Sequence, residues 1–159
     1  MCIVIDADTL SCVFNPENQN HKDFELILKW LLNTRVKSKI VYGGSKYLKE
    51  LKEPYYMRKW IEIFEKMGKV IVADKENVDF YQKQIEEIID DPDFDDPHIL
   101  AIFIETKCKL LCSKDKRMYK FIKDRNLPKE IRPERIRIYT GKRNSDLLCN
   151  ENIANICKN

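Results

Sequence analysis

Glycine is scarce in this chain: 159 residues carry four glycines and six prolines. That leaves little material for long flexible linkers, and no low-complexity segment or internal repeat is present. No apolar run approaches the roughly 18 residues that a membrane span requires. The six cysteines, Cys2, Cys12, Cys108, Cys112, Cys149 and Cys157, include no CxxC pair, which argues against a zinc ribbon or a thioredoxin-like site. They read instead as small apolar core residues in a reducing cytosol. A basic leader is missing as well, because Met1-Cys2-Ile3-Val4-Ile5-Asp6 runs directly into an apolar strand. A soluble cytoplasmic protein without a signal peptide is therefore expected, with no membrane partner.

What is present fits one globular domain with a proper core. The chain is 43% hydrophobic and 35% charged, with a net charge of only +3. The charge is unevenly spread. Residues 107–143 hold 14 Lys/Arg against 4 Asp/Glu, a balance of +10, whereas residues 1–106 hold 14 against 20, a balance of −6. A basic C-terminal third beside an acidic remainder suits a polyanion approaching bound metal. Solvated helix faces would produce the same asymmetry.

Strands and helices alternate in the pattern. Strands are predicted at residues 2–5, 39–42, 70–72, 109–112 and 135–139, the last alternating at period two as an edge strand does. Helices are predicted at 23–34, 46–52 (with Ser45 as N-cap), 55–67 (with Gly68 closing it), 77–89, 96–105 and 116–125. Residues 15–20 and 90–95 read as polar loops. Strands separated by helices predict an α/β fold, a three-layer αβα sandwich around a mostly parallel sheet of four to five strands.

Against that frame, four acids stand out: Asp6, Glu50, Asp96 and Asp115. Asp6 ends the run Cys2-Ile3-Val4-Ile5, and Asp115 follows Leu110-Leu111-Cys112 closely. Carboxylates just past buried strands lie at the carboxyl end of a sheet, where open α/β folds keep their sites. If they converge, they form a set of hard oxygen ligands suited to Mg²⁺ or Mn²⁺. Four carboxylates in one pocket repel each other without a cation.

The order of these pieces resembles a PIN domain, a nuclease fold of toxin ribonucleases and RNA-processing factors. The resemblance rests on Asp6-Ala7-Asp8 after the first strand, Asp96-Pro97-His98-Ile99-Leu100-Ala101 opening an apolar helix, and Ser113-Lys114-Asp115 after a later strand. It covers about residues 1–140, leaving 141–159 as an extension packed on or trailing from the same domain. It implies Asp6, Asp96 and Asp115 as metal ligands and Glu50 as the fourth catalytic acid, with Glu53 as its alternative. Asp8, Thr9 and Ser113 would support the site, while Lys114, Lys116 and Arg117 would contact the nucleic-acid backbone. The family's further acid soon after the last aspartate is absent here, where Lys116 and Arg117 follow, so one metal or two stays open. The implied function is Mg²⁺- or Mn²⁺-dependent hydrolysis of single-stranded RNA, in a toxin–antitoxin or defence setting. An antitoxin protein and a second copy of the chain are the partners such a setting implies.

Other readings of the same residues compete. A phosphatase of the haloacid-dehalogenase type also ends its first strand in Asp-x-Asp, with Asp6 as nucleophile and Asp8 as acid/base, but its Gly-Thr sequel and later aspartate motif are missing. A receiver-type signalling domain would need a phospho-acceptor such as Asp74. A non-catalytic RNA- or protein-binding module is the third alternative. Asp96 and Asp115 each have a bland role as helix-terminal acids, Glu50 as a solvated charge, and 90–96 as a solvated loop. His98 reads as a packed core histidine. Tyr42, Tyr47 and Tyr55 are candidates for stacking bases or for packing, and Trp30 and Trp60 read as core.

Overall fold

The computed structural model describes residues 2–123, 127–149 and 155–157. β1 (Cys2–Ile5) is wholly buried, as a central parallel strand covered on both faces must be. It lies between β2 (Lys39–Gly43) and β4 (Leu110–Cys112), while β3 (Val70–Ala73) and β5 (Arg137–Tyr139) form the edges of the order β3-β2-β1-β4-β5. Every pairing is parallel. The expected αβα sandwich is therefore present, with five strands. From β1 the chain first builds outward through β2 and β3, then returns to the other side of β1 for β4 and β5. That reversal opens a crevice at the carboxyl ends of β1 and β4.

The helices are α1 (Leu10–Phe14), α2 (His21–Leu32), α3 (Ser45–Lys52), α4 (Tyr55–Lys66), α5 (Lys75–Ile88), α6 (Pro97–Thr106) and α7 (Met118–Ile122). α6 buries every residue except Glu105. Each of its Ile, Leu and Phe side chains contributes roughly 1.5–3 kcal/mol of burial, which makes α6 a rigid support for whatever its N-terminus carries. Pro97 occupies the first turn, where its missing N–H costs nothing.

Several boundaries differ from expectation. α2 and α5 each start two residues early, α5 because the Asp74 carboxylate accepts from Asn77 N and caps it. Ser45 is the first residue of α3 instead of its cap, and its hydroxyl donates to Asp79 at 2.5 Å. The helix expected at 116–125 contracts to α7, since Lys116 and Arg117 belong to a turn built on Asp115; residues 124–126 lie outside the described residues. α1 was not anticipated, being too short for periodicity to register.

Cys2 and Cys157 are paired as a disulfide, with Cα atoms 6.1 Å apart. This corrects the expectation of six core thiols; no spacing motif links cysteines 155 positions apart. Cys12, Cys108 and Cys112 are buried free thiols as expected. In the extension, Lys142–Leu147 forms a 3-10 segment against α2 and β5, with Asn144 Nδ2 donating to Ile138 O at 2.8 Å. Among the described residues no helix is long and apolar enough to cross a membrane.

Gly44 sets where α3 begins. Its φ is +76°, and a Cβ there would meet Val78 Cγ1 at 2.5 Å. Gly44→Ala is expected to destabilise the chain by about 1–3 kcal/mol through backbone strain and overpacking, measured as a lower urea midpoint at unchanged m-value.

Candidate active site

Asp6 leaves β1 with its backbone N–H still bonded to Cys112 O at 2.9 Å, as a last rung of the β1–β4 ladder. The side chain is 2% exposed. Each carboxylate oxygen has a donor: Ser113 Oγ at 2.6 Å and Asp8 N at 3.1 Å. Burial still raises its pKa, with the hydrogen bonds opposing and the charges of Asp8 and Asp115 adding to the rise.

Asp96 precedes α6 at its N-cap position, where the helix macrodipole favours an acid, but it makes no side-chain cap hydrogen bond. Its pKa is pushed up to about 6, by burial first and then by the charge of Asp6. Asp115 behaves oppositely. The Arg117 side chain bonded to it is the largest influence and holds its carboxyl below the ordinary value.

Glu50 reaches the same region from α3. It lines a cleft of about 600 Å³ with Asp6, Asp8, Lys46, Glu53, Tyr56, Asp95 and Asp96. His98 Nε2 lies 3.0 Å from Glu50 Oε2, and Nδ1 lies 3.9 Å from Asp96 Oδ1. The first is an ion pair; among the described residues neither ring nitrogen, nor Glu50 Oε2, has an aligned hydrogen-bond partner. Burial tends to raise the Glu50 pKa, but His98, then Lys46 and Lys49, outweigh it and leave the carboxyl below its ordinary value. Glu53 lines the cleft too, but the imidazole faces Glu50.

Asp6, Glu50 and Asp96 thus share one cleft, and Asp115 joins Asp96 in a tighter group. Carboxylate oxygens of Asp95, Asp96 and Asp115 lie within 4.8 Å of one another. Asp95 was read only as part of a solvated loop; nothing in the run Asp90-Asp91-Pro92-Asp93-Phe94-Asp95 distinguishes it, and its place beside a buried helix start was the sole signal. Lys46 was also missed. Its Nζ donates to Asp95 O at 2.5 Å and bridges α3 to the acidic loop.

No family model, curated protein or solved structure matches the chain.

The supporting residues divide. Ser113, fully buried, donates to Asp6 and accepts from Asp115 N at 3.0 Å. Thr9 serves the loop backbone, accepting from Lys114 N at 3.2 Å, and does not bond the carboxylates directly as expected. Asp8 is exposed at the cleft. Lys114 and Lys116 are exposed and line a neighbouring cleft with Asn20, Phe24, Tyr119 and Thr140. Arg117 turns toward acids instead of outward. His98 is packed as expected, yet between two acids of the site. Tyr47 is fully buried with its hydroxyl donating to Ile5 O, and Tyr42 is buried with its hydroxyl 3.5 Å from Glu65. Neither is open to a base; Tyr55, 90% exposed, is.

The raised pKa of Asp96 has a stability consequence. Below its unperturbed value of 3.8 it is protonated folded or unfolded; between there and about 6 the unfolded chain releases a proton that the folded chain retains. Stability attributable to this group therefore falls as pH rises through that window. In EDTA, the thermal midpoint is expected to rise on acidification from about pH 7 to about pH 5. Asp96→Asn is expected to flatten that rise, as followed by differential scanning calorimetry.

Proposed function

We propose that the chain is a metal-dependent endoribonuclease acting on single-stranded RNA, as its resemblance to PIN domains implies. The observation that carries this reading is the meeting of Asp6, Glu50 and Asp96 in one cleft, with Asp115 grouped against Asp96, at the switch point of a parallel sheet. A toxin–antitoxin or defence setting belongs to the same proposal and rests on the resemblance alone.

The residues present fit Mg²⁺ or Mn²⁺. Their donors are hard carboxylate oxygens, and one oxygen from each of Asp95, Asp96 and Asp115 lies within 4.8 Å of the others, close enough for them to converge on one ion. Glu50 Oε2 and both His98 nitrogens are buried beside the cleft without aligned partners. Asp6, Asp96 and Asp115 would hold the ion. A bound divalent ion supplies charge neutralisation at the phosphodiester and a water of lowered pKa.

The chain's own residues do the rest. Glu50 is held ionised by His98 and the Lys46 and Lys49 charges, the state needed to orient and deprotonate an attacking water. Ser113 keeps Asp6 in place, and its hydrogen bond favours the ionised carboxylate against the effect of burial. Lys114 and Lys116, on the loop and turn after β4, neutralise the RNA backbone without reading sequence. Tyr55, beside Pro54 and Tyr56 of the cleft wall, offers an exposed ring for an unpaired base, which favours single strands over duplex.

A labelled single-stranded RNA incubated with Mn²⁺ should be cut internally, and EDTA should stop the reaction. Asp6→Asn and Asp115→Asn are each expected to lower the cleavage rate on the order of 100-fold or more. Unchanged metal-dependent cleavage in both variants would remove the site assignment. Release of orthophosphate from a small phosphomonoester, with RNA left intact, would favour the phosphatase using Asp6 and Asp8.

A further inference from the structure

Arg117 has the character of a phosphate contact but not the orientation of one. Its backbone N–H donates to Asp115 Oδ1 at 2.9 Å; Nε lies 3.2 Å from both Asp115 oxygens; Nη2 lies 2.9 Å from Asp115 Oδ2 and 3.3 Å from Asp95 Oδ2. One guanidinium therefore shares two of the three carboxylates that group within 4.8 Å. We infer that Arg117 is a built-in counter-cation of this acid group, that a divalent ion must displace it, and that the released guanidinium then grips the phosphodiester to be cut. The inference rests on the metal-nuclease reading above and adds a positioning residue to it.

An acid group alone does not define an ion site, since surface acids often gather without one. Here a second feature points the same way. His98, 1% exposed, directs Nδ1 at Asp96 and Nε2 at Glu50 with neither nitrogen in an aligned hydrogen bond. Buried polar atoms in this state, beside an acid group, call for a further partner, and a bound ion is one kind that supplies it.

The competition follows from lone pairs and charge. Asp115 is acceptor-only, and both its oxygens already serve Arg117. An ion held through Asp96 and Asp115 would sit a few ångströms from the guanidinium, where like charges repel strongly. A metal ion and the guanidinium therefore compete for the lone pairs and the charge of Asp115. The contact is nevertheless built to open: the side chains of Arg117 and Asp95 are 53% and 57% exposed, whereas Asp115 is 14% exposed. Exposed ion pairs are weak, so a rotation of Arg117 releases it without moving the backbone or α7. Once released, it stands on the same turn as Lys116, at the rim where RNA would arrive, and its planar fork matches two phosphate oxygens.

The test is Mn²⁺ binding to the full chain without RNA, by titration calorimetry, for wild type, R117Q, R117K and K123Q. R117Q should lower the half-saturating Mn²⁺ concentration on the order of tenfold. R117K keeps the charge without the fork and should lower it by roughly threefold. K123Q, a charge removed from an exposed position just past α7, should leave it unchanged. In RNA cleavage at saturating Mn²⁺, R117Q should instead raise KM on the order of tenfold and reduce the salt dependence of binding by about one phosphate contact. Tighter metal and weaker RNA in the same variant is the signature; a purely structural arginine would weaken both. Equal or weaker Mn²⁺ binding by R117Q and R117K overturns the inference while leaving the nuclease reading intact. Absence of Mn²⁺ binding in every protein, wild type included, overturns both.

Discussion

The hydroxyl of Ser113 donates to Asp6, a carboxylate that would otherwise carry a charge into the floor of the sheet with a single backbone donor. A buried charge left short of partners costs several kcal/mol, so this bond decides whether Asp6 can face the crevice at all. Ser113 is itself pinned from three sides. Its N–H donates to Tyr139 O on β5, its carbonyl accepts from Tyr119, and its Oγ accepts from Asp115 N. Thr9, from the turn after β1, accepts from the next residue, Lys114. The ends of three adjacent strands are thereby locked together, and Asp6 and Asp115 are held at fixed separation as a by-product.

Around this anchor the acids fall into two electrostatic classes. Asp115 and Glu50 are held ionised by cationic or imidazole neighbours, and their carboxyls lie below the ordinary range. Asp6 and Asp96 are raised first by burial, with the charges of Asp8 and Asp115 adding to the rise at Asp6 and that of Asp6 at Asp96, so their carboxyls lie above it. A site that splits identical groups in this way stores repulsion, and a cation placed among them relieves it. The basic C-terminal third does not discharge the cluster wholesale, because Lys114 and Lys116 face a neighbouring cleft.

Much of this was legible because buried strands and helices write themselves as uninterrupted apolar runs. Cys2-Ile3-Val4-Ile5 and Ile99-Leu100-Ala101-Ile102-Phe103-Ile104 have no polar position at which another structure could begin, so the acids flanking them could be placed in advance. The parallel αβα architecture followed from the same alternation. What stayed hidden depended on direction and on distance along the chain. Whether Arg117 turns outward to solvent or back onto Asp115 is a side-chain choice that spacing does not encode. Asp95 differs from Asp93 and Asp91 only in what it faces, and those two instead pair with Lys120. His98 was correctly assigned to the core, but its two acidic neighbours arrive from α3 and from the loop before α6. The Cys2–Cys157 pair joins the extremes of the sequence, where no local pattern exists.

The bond between Ser113 and Asp6 spans 107 positions, and that separation has a bearing on biosynthesis. A growing chain that has emerged only through α6 already contains Asp6, Glu50, Asp95 and Asp96, yet lacks β4, β5 and the loop that orients them. At that stage Asp6 has no hydroxyl donor, Asp115 does not exist, and the crevice has one wall. Assembly of this acid cluster is therefore coupled to completion of the C-terminal strands, and a ribosome making the protein carries an unfinished cluster until the last third of the chain is released.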